Sequence, residues 1–303
     1  MSGTKDWIED CTSIFRSAED AKSLLNHGSA ILGCQCIPDV IRAIWPEFQA
    51  CMDKLAPNDK GKTVVAVDLP AVFYASFEKN CDELESVPRD VRDRVASLYE
   101  DTAAESKERF LLAIDSPKLW RKEKLAGYKS SRKEKPEGFV ETFQETVQSL
   151  KDCGYMVLQY DAHESDDILA SVSFRAKLRR QNAVLVTDDR DAWQCLGKGA
   201  VMYSPRTGNY TKDDKLYAEH GIKPQQVVDY LCLLGKNDVP CAKGVGKKRA
   251  AEYLGVYGNF WGVFDFRAKL PPKISESIEE FAKSDYWLAR ELHTLNKRLE
   301  VWW

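Results

Sequence analysis

Short apolar runs alternate with longer amphipathic segments through the middle of this sequence. The apolar runs cover residues 63–68, 110–115, 155–160 and 183–187, and the helical patterns cover 70–78, 89–107, 138–152 and 164–180. Each run has the length of a buried strand and is bounded by polar residues. Because parallel strands need a long crossover connection, the alternation predicts an α/β fold in which helices cover both faces of a parallel sheet.

The segments on either side differ from this alternating region. An amphipathic stretch at 37–55 predicts a helical N-terminal extension. The segment 204–212 has residues typical of a hairpin turn, and helical patterns dominate beyond it. The predicted division is a helical extension (1–60), an α/β core (61–212) and a helical C-terminal region (213–303).

Composition argues against a membrane protein. The chain is 44% apolar, and it contains no apolar run near the roughly eighteen residues that a membrane-spanning helix needs. The N-terminus lacks a basic region followed by an apolar one, so we predict no signal peptide. Nine cysteines without a C-x-x-C pair favour reduced thiols and a cytoplasmic protein. The spacing of His27, Cys34 and Cys36 does not favour a zinc site.

The charge of the chain is unevenly distributed. Its formal net charge is −3, but residues 118–135 hold eight basic and two acidic residues, and residues 236–249 hold five basic and one acidic. Either segment alone is typical of a solvated loop. Together they form two positive islands that could contact a polyanion such as nucleic acid.

Acidic residues follow all four predicted strands. These acids are Asp68, Asp115, Glu164, Asp166, Asp167, Asp189 and Asp191. Because the carboxyl ends of parallel strands meet at one edge of a sheet, we expect the acids to converge. A simpler interpretation of residues 161–170 is helix capping, with Ser165 as the N-cap and its neighbouring acids near the positive end of the helix dipole.

Convergence would have a strong electrostatic consequence. Two carboxylates about 4 Å apart repel each other by about 4 kcal/mol at an effective dielectric constant near 20. Such a pocket must therefore bind cations or take up protons. Oxygen donors without cysteine or histidine favour Mg²⁺ or Mn²⁺, and two such ions commonly serve displacement at phosphorus. His163 is an alternative general base, although metal-activated water needs none.

Four segments resemble blocks of the 5′-nuclease superfamily. That superfamily includes flap endonucleases, phage 5′-3′ exonucleases and the 5′-nuclease domain of bacterial DNA polymerase I. The segments are LWRKEKLAGYKSSR (119–132), DAHESDDILA (161–170), VTDDRDAWQCL (186–196) and VPCAKGVGKKRAAEYL (239–254). The last is similar to the family's helix–three-turn–helix. Because all four occur in the family's order, the resemblance is more specific than any one block, and it spans residues 63–258.

The resemblance implies a PIN-like nuclease core and a set of metal ligands. Those ligands would be Asp68, Asp115, Glu164, Asp166, Asp167, Asp189, Asp191 and Asp238, holding two Mg²⁺ or Mn²⁺ ions. Arg121 and Lys129 would be catalytic residues that neutralise charge at the scissile phosphate. Tyr128 would stack on a displaced base, unless it is an ordinary half-buried tyrosine.

The resemblance also implies a DNA-binding surface. The residues in it would be Arg132, Gly244, Gly246, Lys247, Lys248 and Arg249. Glycines let the backbone approach a phosphate, and the amides at a helix start assist it. Family members often hold a K⁺ ion at this hairpin, so the resemblance suggests one here.

One block departs from the family pattern. Where the family has two aspartates before a proline, this chain has LGKNDVP, which is two residues shorter. Lys236 takes the position of the first acid, and Asp238 is displaced by one position against Asn237. The second ion could then bind weakly, bind through water, or be replaced by the charge of the lysine.

The predicted function is metal-dependent 5′-3′ exonuclease or structure-specific 5′ flap endonuclease activity on DNA by a two-metal-ion mechanism. The predicted partners are DNA with 5′ ends, flaps or nicks, and also RNA primers, and the protein is predicted to be a monomer. Two alternatives remain open at this stage. One is a DNA-binding clamp with little or no activity, and the other is a PIN-type RNase.

Overall fold

The computed structural model describes residues 61–197 and 199–303. The predicted helical extension at 1–60 lies outside the described residues, as do His27, Cys34 and Cys36. In the described part, a six-stranded sheet has the order β3-β2-β1-β4-β5-β6. Its strands are β1 (Thr63–Asp68), β2 (Phe110–Ala113), β3 (Met156–Leu158), β4 (Asn182–Val186), β5 (Ala200–Tyr203) and β6 (Tyr210–Thr211).

The first five strands are parallel, and β6 pairs with β5 in the antiparallel direction. The α/β prediction is therefore confirmed, with one antiparallel edge strand added. The predicted turn at 204–212 joins β5 to β6, since Ser204 N donates to Asn209 O (3.0 Å) and Gly208 N donates to Ser204 O (2.9 Å). The sheet edge thus ends in a hairpin.

Helices alternate with the strands and then continue alone to the C-terminus. In the core they are α1 (Leu69–Lys79), α2 (Val87–Asp101), α3 (Trp120–Lys124), α4 (Phe139–Asp152) and α5 (Ser165–Leu178). In the C-terminal region they are α6 (Asp213–His220), α7 (Val227–Leu234), α8 (Lys247–Tyr257), α9 (Phe260–Asp265), α10 (Pro272–Ser284) and α11 (Tyr286–His293).

The apolar run of β1 is buried because both sheet faces are covered. Val65 and Val67 belong to an apolar cluster that contains residues of α1, α2 and α4. Val64 and Ala66 face the other way, into a cluster shared with α5 and the C-terminal helices. Successive side chains of a strand point to opposite faces, so a run buried on both sides is continuously apolar.

The C-terminal region packs on the core without a break in apolar contacts, because Leu216 and Ile278 lie in the same cluster as β1. The last residues run along α5: Arg175 Nε donates to Leu299 O (3.1 Å), and Leu299 N donates to Ser171 Oγ (3.2 Å). The domain boundary at 212 stays a prediction. None of the helices within 61–197 and 199–303 has the length and hydrophobicity needed to cross a bilayer.

Candidate active site

The carboxyl ends of neighbouring strands bring acids together at the start of α5. Ser165, the first residue of α5, donates from Oγ to Asp68 Oδ1 (3.0 Å) and from its backbone nitrogen to Asp115 Oδ1 (2.8 Å). Thr187, directly after β4, donates to Asp68 Oδ2 (3.2 Å). These contacts link three strand ends. Asp68 is almost fully buried, whereas Asp115 is exposed.

Three further carboxylates form a compact group beside this contact. One oxygen from each of Asp166, Asp189 and Asp191 lies within 4.8 Å of the others. Asp166 Oδ1 is buried and has no hydrogen-bond partner among the described residues. Because an unpartnered buried carboxylate oxygen is costly, the group is suited to a divalent cation with oxygen ligands.

Burial and mutual repulsion change the acidity of this group. Burial, together with the charge of Asp115, raises the pKa of Asp68 to about 7. The pKa of Asp166 is raised by burial and by the charges of Asp189 and Asp68. Burial and the charge of Asp189 raise the pKa of Asp191 to about 6. These shifts follow from carboxylates that share one pocket, and a bound cation would reverse them.

Lys236 supplies a positive charge inside the pocket. Its ammonium forms an ion pair with Asp189, and its Nζ lies 2.8 Å from Asp191 Oδ1. Although burial opposes the shift, Lys236 lowers the pKa of Asp189. The two aspartates in turn raise the pKa of Lys236 against the effect of its burial. A charged lysine therefore lies at the position where the sequence comparison placed the first acid of the family's second-ion block.

Arg121 and Asp167 lie away from the open side of the pocket. Arg121 is 1% exposed, and its Nη1 and Nη2 donate to the two oxygens of Asp167 (2.7 and 2.8 Å). Nη1 also donates to Glu164 Oε2 (2.8 Å). Burial would lower the pKa of Arg121, but hydrogen bonding to Asp167 and its charge raise it. Burial and these hydrogen bonds occupy the guanidinium inside the protein, which does not favour the predicted catalytic role of Arg121 at a substrate phosphate.

Asp167 is likewise displaced from its predicted role as a metal ligand. Both of its oxygens bind Arg121, and Oδ1 also accepts from Asn296 N (2.8 Å). Asp167 and Glu164 form a reciprocal capping box in which Glu164 is the N-cap of α5. Ser165, the N-cap in the simpler interpretation of the sequence, is instead the first helical residue. Capping and pocket formation thus use different acids of the same block.

Tyr128 is buried, which disagrees with a predicted stacking platform. It is 4% exposed, and its hydroxyl donates to Glu164 Oε2 (3.0 Å). Burial, with the charge of Glu164, raises its pKa. Lys129, the next residue, is only partly buried, and its ammonium forms an ion pair with Glu164. The described structure therefore presents the lysine, and not the tyrosine ring, at the pocket.

Asp238 does not join the acidic group. It is exposed, and its Oδ2 accepts a hydrogen bond from Ser131 N (2.8 Å), which lowers its pKa. His163 is also turned away from the pocket. Its Nδ1 contacts Asp161 O (2.6 Å), and its Nε2 contacts Asn296 Nδ2 (2.9 Å), so both ring nitrogens are engaged. These positions favour neither Asp238 as a metal ligand nor His163 as a general base.

The glycine hairpin of the second basic island joins α7 to α8. Gly244 has φ +81°, and an added Cβ would approach Ile274 Cδ1 to 3.1 Å, so the position favours glycine. Gly246 is the N-cap of α8, and Lys247, Lys248 and Arg249 occupy the exposed first turn. Exposed amides and cations at a helix start are suited to a phosphate.

Three residues of the site were not assigned these contacts from the sequence. Ser165 and Thr187 hold Asp68 and Asp115, and Asn237 contacts the first basic island. Their only sequence signal is proximity to the acidic blocks. Hydroxyls next to acids are too common in loops for that signal to distinguish them.

Comparison with known proteins places this arrangement in a family. Residues 63–227, more than half of the chain, match the model of the 5′-3′ exonuclease N-terminal resolvase-like domain. The chain belongs to the 5′-3′ exonuclease family. The matched range contains β1 to β6 and all of the acids that converge at the pocket.

Relatives of this family member include nucleases and polymerases. It is 25% identical over 197 residues to flap endonuclease Xni of Colwellia psychrerythraea, covering 63% of this chain and 66% of that protein. It is 24% identical over 189 residues to the 5′-3′ exonuclease of Aquifex aeolicus, covering 60% and 65%. It is 28% identical over 162 residues to the thermostable DNA polymerase I of Thermus thermophilus, covering 53% and 19%. The chain therefore spans at most about two thirds of these relatives.

A solved structure shares the fold. The T5 5′-exonuclease, described with divalent zinc ions bound, superposes with a TM-score of 0.65 at 18% identity, covering 78% of this chain and 90% of that chain. The catalytic core of Rad2 in complex with DNA superposes with a TM-score of 0.54 at 14% identity, covering 80% and 81%. Together with the family match and the two nuclease relatives, this shared fold confirms the resemblance to the 5′-nuclease superfamily.

Proposed function

We propose that this protein is a divalent-metal-dependent 5′-nuclease that hydrolyses DNA phosphodiester bonds as a 5′-3′ exonuclease or flap endonuclease. The observation that carries the proposal is the buried, unpartnered Asp166 Oδ1 in a group of carboxylates beside Lys129. Family membership and the names of the relatives support the same activity. The T5 enzyme's zinc and the DNA bound to the Rad2 core support metal use and a DNA substrate.

The acidic group fits one divalent ion. Asp166, Asp189 and Asp191 would hold Mg²⁺ or Mn²⁺, and Asp68 and Asp115, which both contact Ser165 next to Asp166, would add negative charge to the site. When bound, the ion would polarise the phosphodiester and lower the pKa of an attacking water. The chain's own contribution is to orient Asp68 and Asp115 through hydrogen bonds from Ser165 and Thr187.

A second ion fits less well. The sequence predicted two ions, but the ammonium of Lys236 lies between Asp189 and Asp191, where it already neutralises negative charge. A divalent ion about 4 Å from this ammonium would be repelled by about 8 kcal/mol at an effective dielectric constant near 20, and a second ion would be repelled by the first ion as well. We therefore propose one resident divalent ion, with Lys236 supplying the second positive charge.

Lys129 is the proposed phosphate contact. Its ammonium is paired with Glu164 at the rim of the pocket and could exchange that carboxylate for a phosphate oxygen. Charge that develops at the transferring phosphate would then be stabilised mainly in the transition state.

Lys129→Ala is accordingly expected to lower the single-turnover cleavage rate by about a hundredfold while changing the Kd for DNA by less than about threefold. Rapid-quench cleavage and fluorescence anisotropy measure the two quantities. Lys122→Ala, an exposed position on α3, is the control and should leave both near wild type. Equal losses of rate and affinity would instead make Lys129 a simple binding residue.

The exposed first turn of α8 is the proposed duplex contact. Lys247, Lys248 and Arg249, with the amides after Gly246, would hold backbone phosphates without selecting bases. A K⁺ ion at this hairpin stays a prediction from the resemblance.

The double variant Lys247→Ala/Lys248→Ala is expected to weaken binding to all duplex sequences alike and to reduce the slope of log Kd against log salt by about 2. Anisotropy titrations over a range of NaCl concentrations measure the slope. Lys79→Ala/Lys151→Ala removes two exposed charges from the other face of the sheet and is the matched control. An unchanged slope would move the duplex contact to another surface.

Activity itself is tested with 5′-labelled flap, nicked and single-stranded DNA, and with single-stranded and primer-like RNA, in Mg²⁺ and then in EDTA. Metal-dependent release of short 5′ products from DNA is expected. DNA binding without any product would support the clamp alternative, and cleavage confined to RNA would support the PIN-type RNase. Cleavage of RNA primers in addition to DNA, a monomeric state and a cytoplasmic location stay predictions.

A further inference from the structure

The segment Lys236–Asp238 contacts the pocket on one side and the first basic island on the other. Lys236 extends into the acidic group. The next two residues, Asn237 and Asp238, contact the basic segment 128–132 instead. The displaced acid of the shortened block thus has a partner about one hundred residues earlier in the sequence.

Three hydrogen bonds join the two segments. Lys129 N donates to Asn237 O (2.9 Å), Ser131 N donates to Asp238 Oδ2 (2.8 Å), and Arg132 Nη2 donates to Asn237 Oδ1 (3.2 Å). All three acceptors belong to two adjacent residues. Two of the three donors are backbone amides, so the contacts fix the path of the chain on both sides of Ser130.

The backbone at these contacts is held in an unusual conformation. Lys129, Asn237 and Asp238 have φ angles of 58°, 57° and 61°, in the left-handed region. Asparagine and aspartate visit this region more readily than other side chains, whereas lysine does so rarely. A lysine in this region needs surrounding contacts to keep it there, and Lys129 makes its own backbone contact with Asn237.

We propose that Asn237 and Asp238 are positioning residues that hold segment 128–132 against the acidic pocket, so that the ammonium of Lys129 is in place before DNA binds. This inference rests on the proposed function, in which Lys129 contacts the phosphate. We call the three hydrogen bonds that Asn237 and Asp238 accept from segment 128–132 the latch. Asp238 is thereby assigned to the latch instead of to a metal ion. Segment 128–132 is then ordered when the protein folds. The entropy cost of ordering it does not have to be met when DNA binds or reacts.

Two substitutions of Asp238 distinguish its role in the latch from a role as a metal ligand. In Asp238→Asn the amide oxygen can still accept from Ser131 N, so the latch remains, whereas a metal ligand would be weakened. In Asp238→Ala the acceptor is lost. Because Asp238 is exposed, neither change is expected to unfold the protein. Asp265→Asn, at an exposed acid ending α9, is the control of equal charge change.

The test is hydrogen exchange of the backbone amides of residues 129–132 in free protein, without DNA or metal. Exchange at Ser131 is expected to rise by about tenfold or more in Asp238→Ala and to stay near wild type in Asp238→Asn and Asp265→Asn. Unchanged exchange in Asp238→Ala would overturn the latch, whether or not the protein is a nuclease. A failure of the nuclease assay would leave this readout intact, so the two proposals fail separately.

Kinetics and metal binding complete the test. Asp238→Ala is expected to lower the single-turnover rate by about tenfold with Kd for DNA nearly unchanged, and Asp238→Asn should restore the rate. Mn²⁺ affinity should be the same in all three variants. Loss of Mn²⁺ affinity in Asp238→Asn would show that the residue is a metal ligand and would overturn the proposal.

Discussion

Asp166→Ala is expected to lower cleavage of a 5′-labelled flap by about a thousandfold, because removal of a metal ligand removes several kcal/mol of transition-state stabilisation. DNA affinity should change by less than about twofold, since Asp166 is half-buried in the acidic group and offers no positive charge to a phosphate. Single-turnover cleavage in Mg²⁺ and anisotropy in EDTA measure the two effects.

Asp161→Ala is the matched control for that variant. Asp161 is an exposed acid in the same block, four residues before α5, and its removal should leave cleavage near wild type. If Asp166→Ala lowered DNA binding and cleavage equally, Asp166 would be needed for the fold and not for catalysis. Near-wild-type cleavage in Asp166→Ala would contradict the assignment of the acidic group as the active site.

Arg121→Leu is expected to lower the free energy of unfolding by about 3–5 kcal/mol, because it leaves Asp167 buried without its cation and removes one of the two cations that pair with Glu164. The guanidinium also donates from Nε to Leu292 O (2.9 Å), so its loss loosens the end of α11. Urea unfolding followed by far-UV circular dichroism measures the change, and a fall in Tm of roughly 10 °C should accompany it.

The double variant Arg121→Leu/Asp167→Leu tests whether the unpaired charge of Asp167 causes the loss of stability in Arg121→Leu. Replacing both members of a buried ion pair by apolar residues removes the unpaired charge, so the double variant should be more stable than Arg121→Leu alone. Lys122→Ala, the exposed neighbour on α3, should change the unfolding free energy by less than about 0.5 kcal/mol. A loss below about 1 kcal/mol in Arg121→Leu would contradict burial of the pair, because exposed pairs contribute no more than that.

The sequence pattern predicted much of the fold because its core strands are buried on both faces. The run at 63–68 coincides with β1, and the predicted helix at 138–152 differs from α4 by one residue. The strand β5 was missed because its apolar run of four residues is at the lower limit of strand length. The short helix α3 was missed because a basic, five-residue segment has no apolar periodicity.

Convergence of the acids was predictable because the carboxyl ends of parallel strands meet at one edge of the sheet. Which acids face the pocket and which bind Arg121 was not predictable. Asp166 and Asp167 are adjacent on α5, and neighbouring helical residues point about 100° apart. One therefore faces the pocket and the other the buried Arg121. The sequence does not indicate which basic side chain of residues 118–135 is buried in the protein interior. The sequence also left open whether Tyr128 stacks on a base or is an ordinary half-buried tyrosine, and in the structure its hydroxyl donates to Glu164.

We propose that the pocket holds one divalent ion, with Lys236 as the second positive charge. Titration of the metal-free protein with Mn²⁺, followed by electron paramagnetic resonance, tests this proposal most directly because it counts bound ions. We expect one Mn²⁺ ion per chain, which is lost in Asp166→Ala and retained in Asp161→Ala. Two ions per chain in the wild type, or one ion that survives Asp166→Ala, would contradict it.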